Sequence, residues 1–347
     1  MKAGNSILPL EKGMNEHDKT CLLGLSTVEF LTPHEKLALI DMRGEPRKLF
    51  HLTLRDLRSL TGRELTTVLW KPEEILRAGE EIGKRLTEGG MQSIFYWDTT
   101  YPSQLREIYD PPVTLFLRGS LPDNGLLLAG IVGTRFPTGA ARTAAFRLGF
   151  ELGREGIGVV SGLARGIDRE AHEGCTEAGG VSVAVLGNGI DLIYPPSSLS
   201  AGRAILARGG AILSEYPPGI PPLRHHFPAR NRIISGLCRS VVVVQAPERS
   251  GALITAEYAL DQGRDLYVHA AGTMGAAGAG TRRLAEAGAP LVHGSSEILR
   301  DWGMKPRTDR AVLPPAEVPE GERLAAVLKE EIAGTCATRG GETYWRA

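Results

Sequence analysis

Residues 126–161 read LLLAGIVGTRFPTGAARTAAFRLGFELGREGIGVVS, and their pattern defines a fold class. The stretch begins with a short apolar run, turns at a glycine, continues as a helical segment and ends in a second apolar run. Continuous apolar runs, unlike alternating ones, are typical of strands covered on both faces. The stretch therefore predicts a strand, a helix and a parallel strand in a sheet flanked by helices.

The same alternation continues to about residue 303. Helical segments separate five further apolar runs, which are VSVAVLG (181–187), AILSE (211–215), SVVVVQA (240–246), DLYVHA (265–270) and PLVHG (290–294). We therefore predict an α/β fold, with a Rossmann-like, mostly parallel sheet flanked by helices in residues 121–303.

The flanking regions have a different character. Residues 1–120 are predicted to be mainly helical, because three segments begin with Thr or Pro and end at Gly (32–44, 53–62 and 72–90). Prolines between residues 98 and 122 predict a bent connector into the sheet domain. Residues 304–347 are predicted to be a proline-rich linker and a short helical tail, with one amphipathic helix at 322–334.

Composition excludes several classes of protein. The 347 residues are 42% hydrophobic and carry no net charge, which argues against a globally basic nucleic-acid binder but allows a local basic pocket. No apolar stretch reaches the roughly 18 residues of a membrane span, and the first twenty residues lack the apolar core of a signal peptide. The four cysteines form no CxxC pair. These features predict a cytoplasmic protein with free thiols and no metal.

Two common nucleotide motifs are absent. No lysine lies between Lys84 and Lys305, which rules out a GxxxxGK[ST] phosphate loop there. The first predicted strand is not followed by GxGxxG, so the sequence gives no reason to expect NAD or FAD. No cofactor is expected.

In parallel sheets, ligands bind where loops leave the carboxyl ends of strands. After the first predicted strand, GTRFPTG (133–139) offers a tight turn at Gly133 and a fork-shaped cation at Arg135. A turn with a solvated arginine fits this motif equally well. After the second strand, SGLARGID (161–168) allows close approach of a ligand, and Asp168 is predicted to cap the next helix rather than act as an acid.

The segment SEYPPGIPPLRHHFPARNRIISG (214–236) is predicted to begin as a long, proline-stiffened loop. It contains three arginines and a phenylalanine that could stack on a base, and residues 220–240 hold no Asp or Glu. We expect residues 227–232 to stand at the mouth of a pocket, while Ile233, Ile234 and Leu237 anchor a helix against the sheet. The alternative is a helix start whose arginines pair with carboxylates elsewhere.

Later turns extend the pattern. Ser250 and Gly251 precede another helix, and a glycine-rich loop at 270–280 leads into Arg282 and Arg283. Several positively biased helix starts at one edge of a sheet suit a polyanion backbone better than a small substrate. The sequence contains no paired carboxylates, Ser-His-Asp set or metal cluster, and His172 with Cys175 is interpreted as structural. No catalytic residue is predicted.

Six motifs in order and spacing give the chain a resemblance to the DNA-processing protein A (DprA/Smf) family. They are GTR, SGLARGID, AVLGNGIDLIYPPSS, SEYPPGIPP, FPARNRIISGL and SGALITAEYALDQGR. The resemblance implies a sterile-alpha-motif-like (SAM-like) helical N-terminal domain, a Rossmann-like domain that binds single-stranded DNA without catalysis, and a homodimer. It also implies that the protein protects incoming DNA and loads RecA recombinase in natural transformation.

Carried onto this sequence, the resemblance implies a DNA-binding set that spans four turns of the sheet domain. That set is Gly133, Thr134, Arg135, Ser161, Gly162, Ala164, Gly166, Phe227, Arg230, Asn231, Arg232, Ser250 and Gly251. Replacing Arg135 or Arg230 by alanine is expected to weaken DNA binding by roughly 1–3 kcal/mol.

The sequence departs from the family pattern after the sixth strand, where HAAG (269–272) replaces Val-Pro-Gly and Arg282 replaces an asparagine. The tail has room for only the first helix of the winged helix that many members carry. Two other functions stay open. One is a nucleotide phosphoribohydrolase, whose PGGxGTxxE signature is echoed only by Thr255 and Glu257. The other is a partner-binding protein with a vestigial DNA pocket.

Overall fold

The computed structural model describes residues 14–65 and 70–305 and the backbone of two short strands at 336–339 and 342–345. The chain divides into two compact units. The first comprises Met1–Arg118, Gly187–Leu192 and Leu213–Leu223, and the second comprises Gly119–Leu186, Ile193–Ile212 and Arg224–Ala347. None of the helices in the described residues combines the length and the apolar character that a membrane span requires.

The first unit is mainly helical, as predicted. Its elements are α1 (Glu16–Leu25), α2 (Pro33–Arg43), α3 (Leu54–Thr61), α4 (Pro72–Glu88), β1 (Gln92–Phe95), α5 (Ser103–Arg106) and β2 (Thr114–Gly119), with a 3₁₀ turn at Pro46–His51. Thr32 with Glu35 and Thr53 with Asp56 form reciprocal capping boxes at the starts of α2 and α3. Both helices end at a left-handed glycine, so the predicted Thr-to-Gly boundaries are confirmed.

Glycines let α1 and α4 pack backbone to backbone. A Cβ added at Gly24 or Gly79 would overlap the carbonyl oxygen of Ile75 or Thr20, respectively. Part of the predicted connector is instead a strand, because β2 pairs antiparallel with β1. Leu115 in β2 is fully buried, as expected for a strand residue and not for a connector that runs over the surface.

The second unit alternates strands and helices along the chain. Its elements are β3 (Leu128–Val132), α6 (Gly139–Arg154), β4 (Gly158–Ser161), α7 (Ile167–Glu177), β5 (Ser182–Leu186), α8 (Leu199–Ala207), the first half of β6 (Ala211–Ser214), α9 (His226–Leu237), β7 (Ser240–Val243), α10 (Gly251–Asp261), β8 (Asp265–His269), α11 (Ala279–Glu286), β9 (Leu291–Val292) and α12 (Ser295–Asp301). Every apolar run predicted as a strand in residues 126–294 contains one.

The strands lie in the order β6-β5-β4-β3-β7-β8-β9. All five pairs from β5 to β9 are parallel. The chain builds outward from β3 to β6 and then crosses back to β7, so the direction of winding reverses between β3 and β7. This reversal is the topological switch point of a Rossmann-like sheet, beside which ligands bind. The predicted α/β fold with a mostly parallel sheet is confirmed.

The core lies where α6 and α7 cover the sheet. All residues of β3 are buried, as are Leu148 in α6 and Ala171 in α7. The two helices approach closely through glycine, because a Cβ at Gly174 would overlap the carbonyl oxygen of Phe146. This packing fixes the positions at which β3 and β4 deliver their following turns.

The segment 226–237 departs from its prediction. It is the helix α9 from His226 onward, so Phe227 to Arg232 lie in its first turns rather than in a loop. Pro228 is compatible with this helix because backbone N–H groups in a first turn have no intrahelical acceptor.

The C-terminal tail is described only in part. The predicted helix at 322–334 lies outside the described residues. The strands β10 (Cys336–Arg339) and β11 (Glu342–Trp345) pair antiparallel, so the described part of the tail is a strand pair and not the helical segment that was predicted.

Candidate functional site

A pocket of about 250 Å³ opens beside the carboxyl ends of β3, β4 and β5 in the second unit. Residues from four segments line it: the turn after β3, the loop after β4, the turn before α8 and the start of α9. The lining residues are Arg135, Phe136, Gly162, Ala164, Arg165, Tyr194, Pro195, Ser197 and Phe227. Four of the thirteen residues implied by the resemblance, namely Arg135, Gly162, Ala164 and Phe227, therefore meet at one site.

One side of the pocket is an arginine stacked on a phenylalanine. The guanidinium carbon of Arg135 lies 5.4 Å from the ring centroid of Phe227. The ring of Tyr194 lies beside the same phenylalanine, with the two centroids 6.1 Å apart and the planes inclined by 42°. Phe227 thus has a cation and a second ring as neighbours, and it holds both at the pocket.

A second pair of the same kind lies close by. The guanidinium carbon of Arg165 is 5.2 Å from the ring centroid of Phe136, and both side chains are exposed. Neither Arg135 nor Arg165 forms an ion pair with a carboxylate of the described residues. None of the nine lining residues, all of them described, is acidic. The pocket therefore offers two uncompensated cations and three aromatic rings.

The turn after β3 is fixed by backbone hydrogen bonds. The Thr134 N–H donates to the carbonyl of Gln245 at 2.7 Å, and the Ile167 N–H donates to the carbonyl of Thr134 at 3.2 Å. Gly133 leaves room for these contacts, because an added Cβ would lie 2.6 Å from the Ile167 side chain. Gly133 and Thr134 thus position Arg135 from beneath and do not line the pocket themselves.

The loop after β4 is held from within by Asp168. Its Oδ2 accepts hydrogen bonds from the backbone N–H groups of Gly162 (3.2 Å) and Ala164 (3.4 Å). The prediction that Asp168 caps the following helix is wrong: Gly166 is the N-cap of α7 and the helix start has no side-chain cap. The carboxylate instead fixes a loop in which Leu163 has a φ of 55°, an unfavourable conformation that needs such support.

Two more residues of this loop are structural in the same sense. The hydroxyl of Ser161 donates to the carbonyl of Ile131 at 2.6 Å and ties β4 to β3. Gly166 has a φ of 87°, and an added Cβ would lie 2.5 Å from the carbonyl oxygen of Thr134. Ser161 therefore fixes the start of the loop to β3, and Gly166 packs the loop against the turn that carries Arg135.

Arg230 lies beneath the pocket rather than at its mouth, which corrects the expected position. Its side chain is 4% exposed, and its Nη1 donates to the carbonyls of Gly162 (3.0 Å) and Val185. Burial raises the pKa of the nearby Asp168 carboxyl, and the positive charge of Arg230 partly opposes that rise. Arg230 is buried because α9, and not a loop, carries it toward the sheet.

Asn231 and Arg232 are also buried and are not among the residues that line the pocket. The Asn231 amide donates to the carbonyl of Gly251 at 3.1 Å, which ties α9 to the start of α10. The Ser250 hydroxyl accepts from the Ala252 N–H at 3.3 Å and caps α10. Ser250 and Gly251 are not among the residues that line this pocket.

The pair His172 and Cys175 is structural, as the sequence indicated. Both side chains are fully buried. Nδ1 of His172 lies 2.7 Å from the Ser182 hydroxyl, and burial, helped by the charge of Arg230, lowers the imidazole pKa to about 3. Burial raises the pKa of the Cys175 thiol to about 12, which leaves it unreactive. Among residues 14–65 and 70–305, no group of three His, Cys, Asp or Glu side chains is placed to hold a metal ion.

Sequence reasoning missed five of the lining residues: Phe136, Arg165, Tyr194, Pro195 and Ser197. Each stands within or next to a motif that was singled out. Phe136 directly follows Arg135, Arg165 lies in SGLARGID, and the other three lie in AVLGNGIDLIYPPSS. The positions of the motifs could have pointed to these residues. Which of their side chains come together at one pocket depends on the fold.

The fold and the pocket define the class: an α/β protein with a Rossmann-like sheet and a cationic, aromatic site at its strand ends. The family model described as DNA recombination-mediator protein A matches residues 92–303. The chain belongs to this family, which confirms the resemblance drawn from its motifs.

Curated relatives agree with the family model. The chain is 39% identical to Protein Smf of Synechocystis sp. over 249 residues, which cover 70% of this chain and 61% of that protein. It is 39% identical to DNA processing protein DprA of Streptococcus pneumoniae over 205 residues, which cover 59% of this chain and 72% of that protein. The match thus spans less than two thirds of the Synechocystis protein.

Solved structures support the same fold. The X-ray structure of DprA from Streptococcus pneumoniae matches with a TM-score of 0.67 and 32% identity, over 83% of this chain and 99% of that one. A structure of DNA processing protein A from Helicobacter pylori matches with a TM-score of 0.54 and 28% identity, over 61% of this chain and 95% of that one. The latter protein is described by its single-stranded DNA binding mode.

Proposed function

We propose that this chain is a single-stranded-DNA-binding recombination mediator that acts without catalysis in the cytoplasm. It would protect incoming DNA and load RecA recombinase onto it during natural transformation. We assign DNA binding to residues 121–303, and we treat residues 1–120 as a SAM-like helical domain with its connector. Residues 304–347 would be a linker and a short terminal segment.

One observation carries this proposal: the pocket combines Arg135 and Arg165, which lack carboxylate partners among the described residues, with three rings. Guanidinium groups suit phosphate, because they present several N–H donors in a fixed fork. Aromatic faces suit unpaired bases, because every base has a π face that can stack on a ring. A single strand offers both groups at once, whereas in a duplex the bases are already stacked on one another.

The residues implied by the family resemblance would have two kinds of role. Arg135 would contact a phosphate, Phe227 would hold that arginine at the strand, and Gly162 with Ala164 would let the backbone approach the strand. Buried Arg230 would fix this loop. The remaining members would shape the strand ends or extend the path of the DNA, namely Gly133, Thr134, Ser161, Gly166, Asn231, Arg232, Ser250 and Gly251.

RecA loading can be measured directly. RecA filaments form slowly on a single strand already covered by a single-strand-binding protein, so a loader should shorten the lag in RecA ATP hydrolysis on such DNA. We expect the wild-type chain to shorten the lag and the Arg135→Ala variant to shorten it less. A chain that binds the strand but leaves the lag unchanged would contradict the RecA part of the proposal alone.

The non-catalytic part of the proposal rests on the chemistry of the lining. Glu257, which the phosphoribohydrolase alternative would need, is an exposed residue of α10 and is not among the residues that line the pocket. Incubation of the protein with AMP should release no free adenine. Turnover above that of a heat-inactivated control would favour the enzyme.

The proposed homodimer follows from the family resemblance. Sedimentation velocity over a range of protein concentrations, with and without a single-stranded oligonucleotide, should give a species of twice the chain mass. A single species of one chain mass at every concentration would contradict it.

A further inference from the structure

Phe136 presents an aromatic face to solvent at the edge of the pocket. Its side chain is 73% exposed, although burial of a phenylalanine side chain is energetically favourable. Arg165 lies over its ring at 5.2 Å, so the guanidinium can cover only one face. Arg165 leaves the other face uncovered, and Phe136 is one of the residues that line the pocket.

The backbone beneath this ring is fixed. The Phe136 N–H donates to the Thr134 hydroxyl at 3.2 Å, and Thr134 is itself buried and hydrogen-bonded to Gln245. Gly166, next to Arg165, packs against the backbone of Arg135, with no room for a Cβ. The two segments that carry the pair are therefore in contact, and a bound ligand would not have to order them.

Phe227 is less suited to receive a base. It is half-buried, with Arg135 at 5.4 Å and Tyr194 at 6.1 Å from its ring centroid. Two neighbours already occupy its surroundings, and its function in the pocket is to hold them. The sequence singled out Phe227 for stacking, but the exposed ring face belongs to Phe136.

We propose that Phe136, backed by Arg165, is the platform on which this chain stacks one unpaired nucleobase. The platform rests on the proposed function, since it is part of the same DNA site. A flat ring over a guanidinium accepts any base, so the platform would give no sequence preference. It would give a preference for single strands over duplex, because a paired base is not free to stack on it.

Three full-length variants test the platform with oligo(dT) and a matched duplex, by fluorescence anisotropy across a salt series. Phe136→Leu keeps an apolar side chain but removes the π face. Phe136→Trp restores a π face and adds a fluorescent reporter. Tyr109→Leu, at a ring that is 83% exposed in the first unit, is the matched control.

We expect Phe136→Leu to weaken oligo(dT) binding about tenfold, to leave duplex binding unchanged and to keep the wild-type salt slope, because no phosphate contact is lost. Phe136→Trp should bind like the wild type, and saturating oligo(dT) should quench its added fluorescence beyond the wild-type background. The control should behave like the wild type.

Three results would overturn the platform. They are a Phe136→Leu variant that binds oligo(dT) like the wild type, a Phe136→Leu variant with a reduced salt slope, and a Phe136→Trp variant that binds without a change in fluorescence. A wild-type chain that does not bind oligo(dT) would instead sink the proposed function itself. The two failures are therefore distinguishable.

Discussion

The guanidinium of Arg135 stacks on the ring of Phe227, with 5.4 Å between the guanidinium carbon and the ring centroid. The first residue belongs to the turn after β3 and the second to the first turn of α9. They meet because both segments start at the same edge of a parallel sheet. The ring fixes the direction of an otherwise flexible cation, so the arginine is oriented before any anion arrives.

Replacing Arg135 by alanine should therefore weaken binding without weakening the fold. We expect a loss of roughly 1–3 kcal/mol in single-strand affinity. The slope of log affinity against log salt should fall by about 0.7 for each phosphate contact removed. Anisotropy titrations measure both quantities. The control is Arg300→Ala, an exposed arginine in the last turn of α12, and an equal loss in this control would show that the effect is only one of net charge.

Replacing Arg230 by alanine should have a different signature. The change leaves the carbonyls of Gly162 and Val185 without this donor and removes the positive charge near Asp168. Breaking a buried charge arrangement costs about 3–5 kcal/mol. Urea denaturation should show this loss in the free energy of unfolding, and DNA binding should fall with it. A variant that loses DNA affinity but unfolds like the wild type would instead place Arg230 in direct contact with DNA.

Stability should decrease in acid because of His172. Its pKa is about 3 in the folded protein, against an ordinary value of 6.5, so the unfolded state binds the proton more readily. The stability from the neutral imidazole is thus complete above pH 6.5 and is lost as the pH falls toward 3. The slope is on the order of 1.4 kcal/mol for each pH unit.

Denaturant titrations at several pH values measure this slope. His172→Gln should reduce proton uptake on unfolding by about one proton near pH 5. Equal slopes in the His172 variant and the wild type would contradict a buried neutral imidazole.

Close packing of α6 on α7 makes a further prediction. An alanine at Gly174 would force its Cβ against the Phe146 carbonyl oxygen, and overpacking of this kind costs about 1–3 kcal/mol. An alanine at Gly139, at the start of α6, meets no atom within 4 Å. Thermal unfolding should therefore show a clear loss of stability for Gly174→Ala and none for Gly139→Ala. Similar melting temperatures for the two variants would contradict the close approach of α6 and α7 at Gly174.

The strands could be predicted because burial on both faces leaves a pattern in the sequence. Every residue of β3 and β7 is buried, so these strands are continuous apolar runs. The helices of the first unit could be predicted from their caps, as at Thr32 and Thr53. These signals are local: an apolar run or a helix cap is formed by neighbouring residues of the sequence, so it can be recognised without knowing the fold.

The site could be predicted only in part. Arg135 and Phe227 were found because motifs mark the turns that carry them. The depth of Arg230 was not predicted, because prolines suggested a loop while the first turn of a helix accepts Pro228. The pairing of Phe136 with Arg165 was missed for a different reason: it joins two loops whose distance apart is set by the sheet and by Gly166.

The most direct measurement is the affinity of the full-length chain for a labelled oligo(dT) strand and for a matched duplex, by anisotropy from low to high salt. We predict saturable binding that prefers the single strand, weakens steadily with salt and decreases markedly in Arg135→Ala. A wild-type chain with no measurable single-strand binding at low salt, or with equal affinity for the duplex, would contradict the account.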